Sequence, residues 1–320
     1  MIDKLMFKII KIITKFLRKL NLDRIFFDKL FFNIGLNQIS ENRKNYKNID
    51  NIQKIELKIF SQNGEDGIID YLLIKLKLIP HSTNFIEIGV GDYRESNTRF
   101  IYNRFHSKGV IIDCIDDMKK KVKPHVNLWK GDLRICNSFI NSNNINEILK
   151  KNCDFDVDVF SLDIDGIDYW IIQKLKKNIS KIFIAEFNPV FGPKLKVTVP
   201  NIDDFDRTNY HYSNLCYGMS LSALIDVMKE KNYYFVGTNL QKMNAFFVSN
   251  DFNKKDFFEN LEIKSLENYT NSNIRDSRDI NNNLNYLSGF EKKIKEIENC
   301  EVINLEKNKN DLVKIKDLIS

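Results

Sequence analysis

Phe85-Ile86-Glu87-Ile88-Gly89-Val90-Gly91-Asp92 is an apolar run carrying one acid near its end, followed by two glycines one residue apart. Four residues of this kind suit a strand buried on both faces, and a glycine turn after it lets backbone N–H groups approach a ligand that a side chain would obstruct. The stretch therefore reads as a cofactor loop at a strand-to-helix junction. The position three beyond Gly91 is Arg94, so the G-x-G-x-x-G pattern of a dinucleotide fold is incomplete, which argues against NAD. Working outward, further short apolar runs cover Asn84–Ile88, Gly109–Asp113, Val126–Trp129, Val157–Asp163 and Lys181–Phe187. Ser96–His106 and Tyr169–Lys177 are long enough for crossover helices between them, giving an α/β chain with a mostly parallel sheet. Tyr233–Thr238 and Ala245–Ser249, separated by residues 239–244, predict a closing antiparallel hairpin.

Acids recur at the ends of these runs. Asp113 closes the second one, where a ribose hydroxyl pair would be accepted, and Asp132 follows the third, placed for an adenine amino group with Leu133 as apolar contact. Asp163 and Asp165 end the fourth, two apart, where paired carboxylates serve as a general base or hold a divalent ion. Asp165 has a second reading, as a cap for the helix expected at Tyr169 or a turn residue beside Gly166. The fifth run ends Ala185-Glu186-Phe187-Asn188-Pro189, either a pocket wall or a conformational lock.

The ordered set of Phe60-Ser61-Gln62-Asn63-Gly64-Glu65-Asp66-Gly67, the Glu87–Asp92 loop and Leu162-Asp163-Ile164-Asp165-Gly166 resembles the FkbM-type branch of S-adenosylmethionine-dependent methyltransferases, over about residues 58–250. That resemblance implies a Rossmann-like class I methyltransferase fold and O-methylation of a sugar or glycan precursor. It also implies that Glu87, Gly89 and Gly91 hold the methionine part of S-adenosylmethionine, Asp113 the ribose and Asp132 the adenine. Gln62, Glu65 and Asp66 would lie beside the pocket. The chain departs from the family loop at Tyr93, where a third glycine often stands, and Tyr93, Ser96 and Asn97 are then expected to reshape the pocket. Methyl transfer from a sulfonium needs alignment and one proton acceptor. Asp163 is the first candidate for that base, with Asp165 and Glu186 behind it.

The rest of the chain narrows the class. A length of 320 residues and 43% apolar content supply a full core, and a net charge of +6 is too mild to imply nucleic acid. Five scattered cysteines form no C-x-x-C pair and no zinc pattern with the four single histidines, so they read as reduced thiols of a cytoplasmic protein. From Met1 to about Leu20, apolar residues on one helical side oppose Lys4, Lys8, Lys11, Lys15, Arg18 and Lys19 on the other. This basic amphipathic helix is too interrupted by charge to span a bilayer; it either packs on the domain or contacts a membrane surface peripherally. The expected division is a helical segment and linker over 1–55, the α/β domain over 56–250 and a polar, partly helical tail over 251–320. Two other functions fit the pattern: a non-catalytic cofactor-fold module in a cell-envelope assembly, and a nucleotide-sugar-processing enzyme.

Overall fold

The computed structural model describes residue 15 and residues 22–78, 83–105, 107–252, 258, 261, 266–270, 277–306 and 310–319. Apart from Lys15, the expected Met1–Leu20 helix lies outside the described residues.

Strands β1 (Phe85–Ile88), β2 (Lys108–Asp113), β3 (Asp132–Asn137), β4 (Val157–Leu162), β5 (Ser180–Glu186), β7 (Tyr233–Thr238) and β8 (Asn244–Ser249) form one sheet in the order β3-β2-β1-β4-β5-β8-β7. The first five are parallel; β8 runs antiparallel to both β5 and β7, giving the expected hairpin. This is the Rossmann-like order of the class I methyltransferase fold. Alternation along the strands splits the interior into two layers. Ile86, Ile88, Val110, Ile112, Phe160, Leu162 and Phe183 point into one, and Phe85, Ile111, Val159, Ile182 and Ile184 into the other. With both faces covered, β1 and β4 are buried along their whole length, which is why they read as continuous apolar runs.

The third strand differs from the sequence expectation. Val126–Trp129 is not a strand: its region forms 3-10 turns at Lys123–His125 and Leu128–Lys130, with Trp129 82% exposed. The strand is Asp132–Asn137, at the edge of the sheet, with Asp132 and Asn137 exposed and the four residues between them half-buried. An edge strand has only one neighbour and one well-covered face, so it carries no apolar run.

Helix α1 (Leu22–Arg43) reaches into the stretch expected as a linker. Its Phe32, Leu36 and Ile39 pack on Phe60 and Phe100, and its Gly35 leaves the space that Ile59 fills. Arg43 donates twice to the buried carboxylate of Asp70, at 2.9 and 2.6 Å, on helix α2 (Glu65–Lys75). Arg104, at the end of α3 (Arg99–Arg104), and Tyr46 donate to the same group, so one buried anion is fully satisfied and ties three elements together. The tail is more than a helical appendage. Its strands β9 (Glu301–Asn304) and β10 (Asp311–Lys314) join β6 (Val197–Thr198) in a second, antiparallel sheet. None of the described helices is long and apolar enough to cross a membrane.

Candidate active site

The chain leaves β1 for β2 and β3 on one side and returns through β4 and β5 on the other, so the sheet reverses its order between β1 and β4. Ligands of open α/β sheets sit at the carboxyl ends of the strands beside such a switch. Register sets what is displayed there. Ile88 pairs with Ile112 and with Leu162, Leu162 with Ala185, Asp113 with Asn137, and Glu186 with Asn244. One row beyond the last apolar residues therefore holds Asn137, Asp113, Gly89, Asp163 and Glu186. A cleft of about 590 Å³ opens over this row, lined among others by Gln62, Gly89, Gly91, Asp113, Asp163 and Asp165.

The glycine loop is shaped from both sides. A Cβ on Gly89 would lie 1.5 Å from the carbonyl oxygen of Asp163, so the turn after β1 packs directly on the end of β4. Gly91, at φ +53°, has nothing within 4 Å of its Cβ position and faces open space. Its N–H donates to Asp113 Oδ2 at 2.7 Å, while Asp113 Oδ1 accepts from the Ile115 N–H at 3.1 Å. Each oxygen keeps a lone pair for a ligand hydroxyl.

Glu87 serves the loop from beneath. It is buried and accepts from Ser96 Oγ (2.5 Å), Asn97 N (2.9 Å), Thr98 N (3.0 Å) and Thr98 Oγ1. Burial pushes its carboxyl up against the opposing effect of these donors. Ser96 and Asn97, with the Asn97 amide on Ser161 Oγ at 3.0 Å, thus brace the strand ends and do not line the cleft. Tyr93 is fully buried, its hydroxyl on Thr98 at 2.9 Å, and also lies off the cleft. Asp66 accepts from the N–H groups of Ile59, Phe60 and Ser61 at 2.7–2.8 Å, and Glu65 accepts from the amides of Asn239 and Asn244 at 2.8 and 2.9 Å. Both acids hold the segment that places Gln62 at the cleft, and only Gln62 lines it.

Asp132 and Leu133 are not at this edge. They open β3 opposite Lys108 and Gly109, at the amino end of the sheet, and Asp132 pairs with Arg134 at 3.3 Å. The misplaced third strand carried them to the wrong end. Ser138, Phe139 and Ile140, which follow the true β3, line the cleft beside Cys114 instead. Strict periodicity on the edge strand, ending in Asn137, is the signal that would have found them.

The acids at the ends of β4 and β5 do converge: Asp163, Asp165 and Glu186 each bring an oxygen within 4.8 Å of the others. Glu186 hydrogen-bonds Asp163, and burial first, then the neighbouring carboxylates, raises both carboxyls well above the ordinary range. Two carboxyls in contact share one proton and titrate as a pair. Asp165, in a left-handed conformation at φ +54°, does not cap the next helix but receives Arg207 at 2.6 Å. The turn is held instead by Asp168 on α6 (Asp168–Lys174; α4 is Met118–Val122 and α5 Ile145–Asn152), which accepts from the N–H groups of Ile164 (3.1 Å) and Gly166 (3.0 Å). Burial lifts Asp168 to about 6. Asn188 is a lock: its amide donates to the carbonyls of Leu215 (2.8 Å) and Tyr217 (3.0 Å). Tyr217 in turn points its hydroxyl at Glu186, at 3.5 Å, and Arg207 stacks over its ring. Arg207 and Tyr217 stand outside every motif, and only folding brings them to the acids, whereas Asp168 follows the Leu162–Gly166 motif by two residues.

The sequence matches no family model and no curated protein. Among solved structures it is similar to a Listeria monocytogenes protein provisionally named an S-adenosylmethionine-dependent methyltransferase, with 12% identity, 56% of this chain and 97% of that one covered, and a TM-score of 0.33. The N-terminal domain of EvdMO1, crystallised with SAH and D-fucose, shares 7% identity over 56% of this chain and 81% of its own, at a TM-score of 0.35. Precorrin-6y C5,15-methyltransferase from Geobacter metallireducens shares 11% over 63% and 97%, at 0.32. Likenesses this remote carry no argument about activity.

Proposed function

We propose that the cleft binds S-adenosylmethionine and that the protein transfers its methyl group to a hydroxyl, with Asp163 taking the proton. The observation that carries this reading is the charge of the lining. Outside the Asp163–Asp165–Glu186 cluster, whose charge Arg207 and a shared proton offset, Asp92, Glu95, Asp113 and Asp203 still border the cleft, against Arg94 as the one basic lining residue among the described residues. Such a field attracts a sulfonium cation and opposes the diphosphate of NAD or of a sugar nucleotide. Gly89 and Gly91 give the methionine portion access to the backbone, Asp113 accepts the ribose hydroxyls, and Ser138, Phe139 and Ile140 flank the base. A sugar or glycan precursor as acceptor rests on the FkbM resemblance alone.

A divalent ion fits the acid cluster poorly as it stands. Arg207 already neutralises Asp165, and the proton between Asp163 and Glu186 removes a second charge. Methyl transfer therefore needs only the chain's own groups: the loop would hold the cofactor, Glu186 orients Asp163, and Asp163 accepts the hydroxyl proton.

Calorimetric titration separates the readings. S-adenosylmethionine and its demethylated product bind, while NAD and sugar nucleotides give no heat. Asp113→Ala weakens cofactor binding by about 1.5–3 kcal/mol through loss of charged hydrogen bonds. Equal affinity in a folded Asp113→Ala variant would remove the ribose assignment.

We also propose peripheral contact with an anionic membrane through the N-terminal segment. Phe26, Phe27, Leu30, Phe31 and Ile34 lie exposed on the side of α1 away from the domain, and the sequence before α1 is rich in Lys and apolar residues. The protein is expected to sediment with phosphatidylserine vesicles at low salt and to be released as salt rises. Deleting residues 1–20 abolishes this, and Phe27→Asp with Phe31→Asp weakens it. Sedimentation indifferent to all three changes refutes the contact.

A further inference from the structure

Away from the cleft, folding brings together two thiols that are distant in the chain. Cys216 lies between α7 (Arg207–Tyr210) and α8 (Leu221–Glu230) and is fully buried. Cys300 lies just before β9, in the tail, and is 8% exposed. Both are free, and their thiols hydrogen-bond one another. His211, from the Cys216 segment, hydrogen-bonds Cys300 as well, and its Nδ1 is held by Ser213 Oγ at 2.7 Å. The two segments are already clamped around the pair. Tyr210 donates to the Glu301 carbonyl at 2.7 Å, Tyr212 to the Glu296 carboxylate at 2.8 Å, and the Arg278 N–H to the Ser213 carbonyl at 3.2 Å.

We propose that Cys216 and Cys300 form an oxidisable dithiol site whose oxidant is a small hydroperoxide, with Cys300 attacking and Cys216 resolving. The Cys300 thiolate displaces hydroxide from peroxide as the O–O bond breaks, giving a sulfenic acid, and the hydroxide leaves as water by taking from solvent the proton that the Cys300 thiol gave up. The Cys216 sulfur then attacks the Cys300 sulfur; the S–O bond breaks, and the thiol proton departs with that oxygen as a second water. Two thiols and one peroxide become one disulfide and two waters, with two electrons passing from sulfur to oxygen.

The division of roles follows from the surroundings. The Cys216 hydrogen bond, and after it His211, draw the Cys300 thiol down to about 6 against the effect of burial. The same bond and full burial push Cys216 up, and Cys216 is fully buried where Cys300 is 8% exposed, so peroxide reaches Cys300 and leaves Cys216 to resolve. Tyr210 and Tyr212 face the pair as neutral phenols, both raised, chiefly by burial in Tyr210 and by the Glu296 bond in Tyr212. Cys114 is the accessible competitor, but burial and Asp113 raise its thiol. A thiolate is the nucleophile, so the less exposed Cys300 reacts first. The bond formed would strap the tail sheet to the segment that carries Tyr217 against Glu186. The proposal is independent of methyl transfer.

The test treats the full-length protein with one equivalent of hydrogen peroxide, counts thiols after denaturation and maps peptides without reduction. The expected result is loss of two of the five thiols and a Cys216–Cys300 cross-linked peptide, with Cys114 intact. Cys216→Ser accumulates a dimedone-reactive sulfenic acid at Cys300, and the wild-type oxidation rate rises with pH through about 6. Oxidation of Cys114 ahead of the pair, or a pair still reduced when peroxide is consumed, overturns the proposal. The wild-type map suffices even if the serine variant fails to fold.

Discussion

Asp163→Asn is expected to leave S-adenosylmethionine affinity unchanged and to slow methyl transfer by about 10²–10⁴-fold, the usual contribution of a positioned base. Asparagine keeps the size of the side chain and accepts the Glu186 hydrogen bond through its amide oxygen, but it cannot hold a proton. Glu186→Gln tests the partner: its amide donates to Asp163 in place of the shared proton, so this variant keeps most of the activity. The pH dependence has a definite sign. Asp163 works unprotonated, and burial and neighbouring acids raise its carboxyl, so the rate falls as pH drops from a point above the ordinary carboxylate range. Chelation should leave the wild type active, because Arg207 and the shared proton already balance the cluster. Loss of activity on chelation with recovery on adding magnesium would instead give Asp163, Asp165 and Glu186 to a metal. Single-turnover transfer by Asp163→Asn at the wild-type rate would dismiss both roles.

How far the sequence was legible depended on burial. The central strands are covered on both faces, so Phe85–Ile88 and Val157–Leu162 announce themselves as apolar runs, and the residue following each run falls on the row facing the cleft. Asp113 and Asp163 were readable for that reason. The edge strand β3 has no such run, and a nearby apolar stretch with an exposed Trp129 stood in for it, so Asp132, which stands at the amino end of the sheet, was assigned to its ligand edge. Glu65, Asp66 and Glu87 stood in the motifs, with Ser96 and Asn97 expected to reshape the pocket beside them, yet they act one level below the cleft by satisfying backbone N–H groups, each other, or Asn239 and Asn244. A short motif marks a loop that must be held, and does not say which members touch a ligand. Long-range partners such as Arg207 on Asp165 and Cys300 on Cys216 leave no local signal, since nothing in their neighbourhoods distinguishes them from surface arginines or core thiols.

The two glycines of the loop should fail in opposite ways when each is changed to alanine. At Gly89 the new Cβ would sit 1.5 Å from the Asp163 carbonyl oxygen, a backbone atom in the neighbouring strand end that has no rotamer with which to retreat. The position is also left-handed, at φ +84°, which costs alanine about 1–2 kcal/mol. Adding an overpacking cost of about 1–3 kcal/mol, Gly89→Ala should lose about 2–5 kcal/mol of folding stability in urea melts. Gly91 shares the left-handed strain, at φ +53°, but meets nothing within 4 Å. Its alanine variant therefore loses only the conformational part, about 1–2 kcal/mol, and stays folded. What its methyl group does meet is the volume over the row of strand ends, where the cofactor is assigned, so binding should weaken at least tenfold, about 1.4 kcal/mol. The pair separates packing from recognition, because the sterically crowded glycine governs stability and the open one governs affinity. A folded Gly91→Ala protein that binds S-adenosylmethionine as tightly as the wild type would mean that the cofactor does not cross this loop.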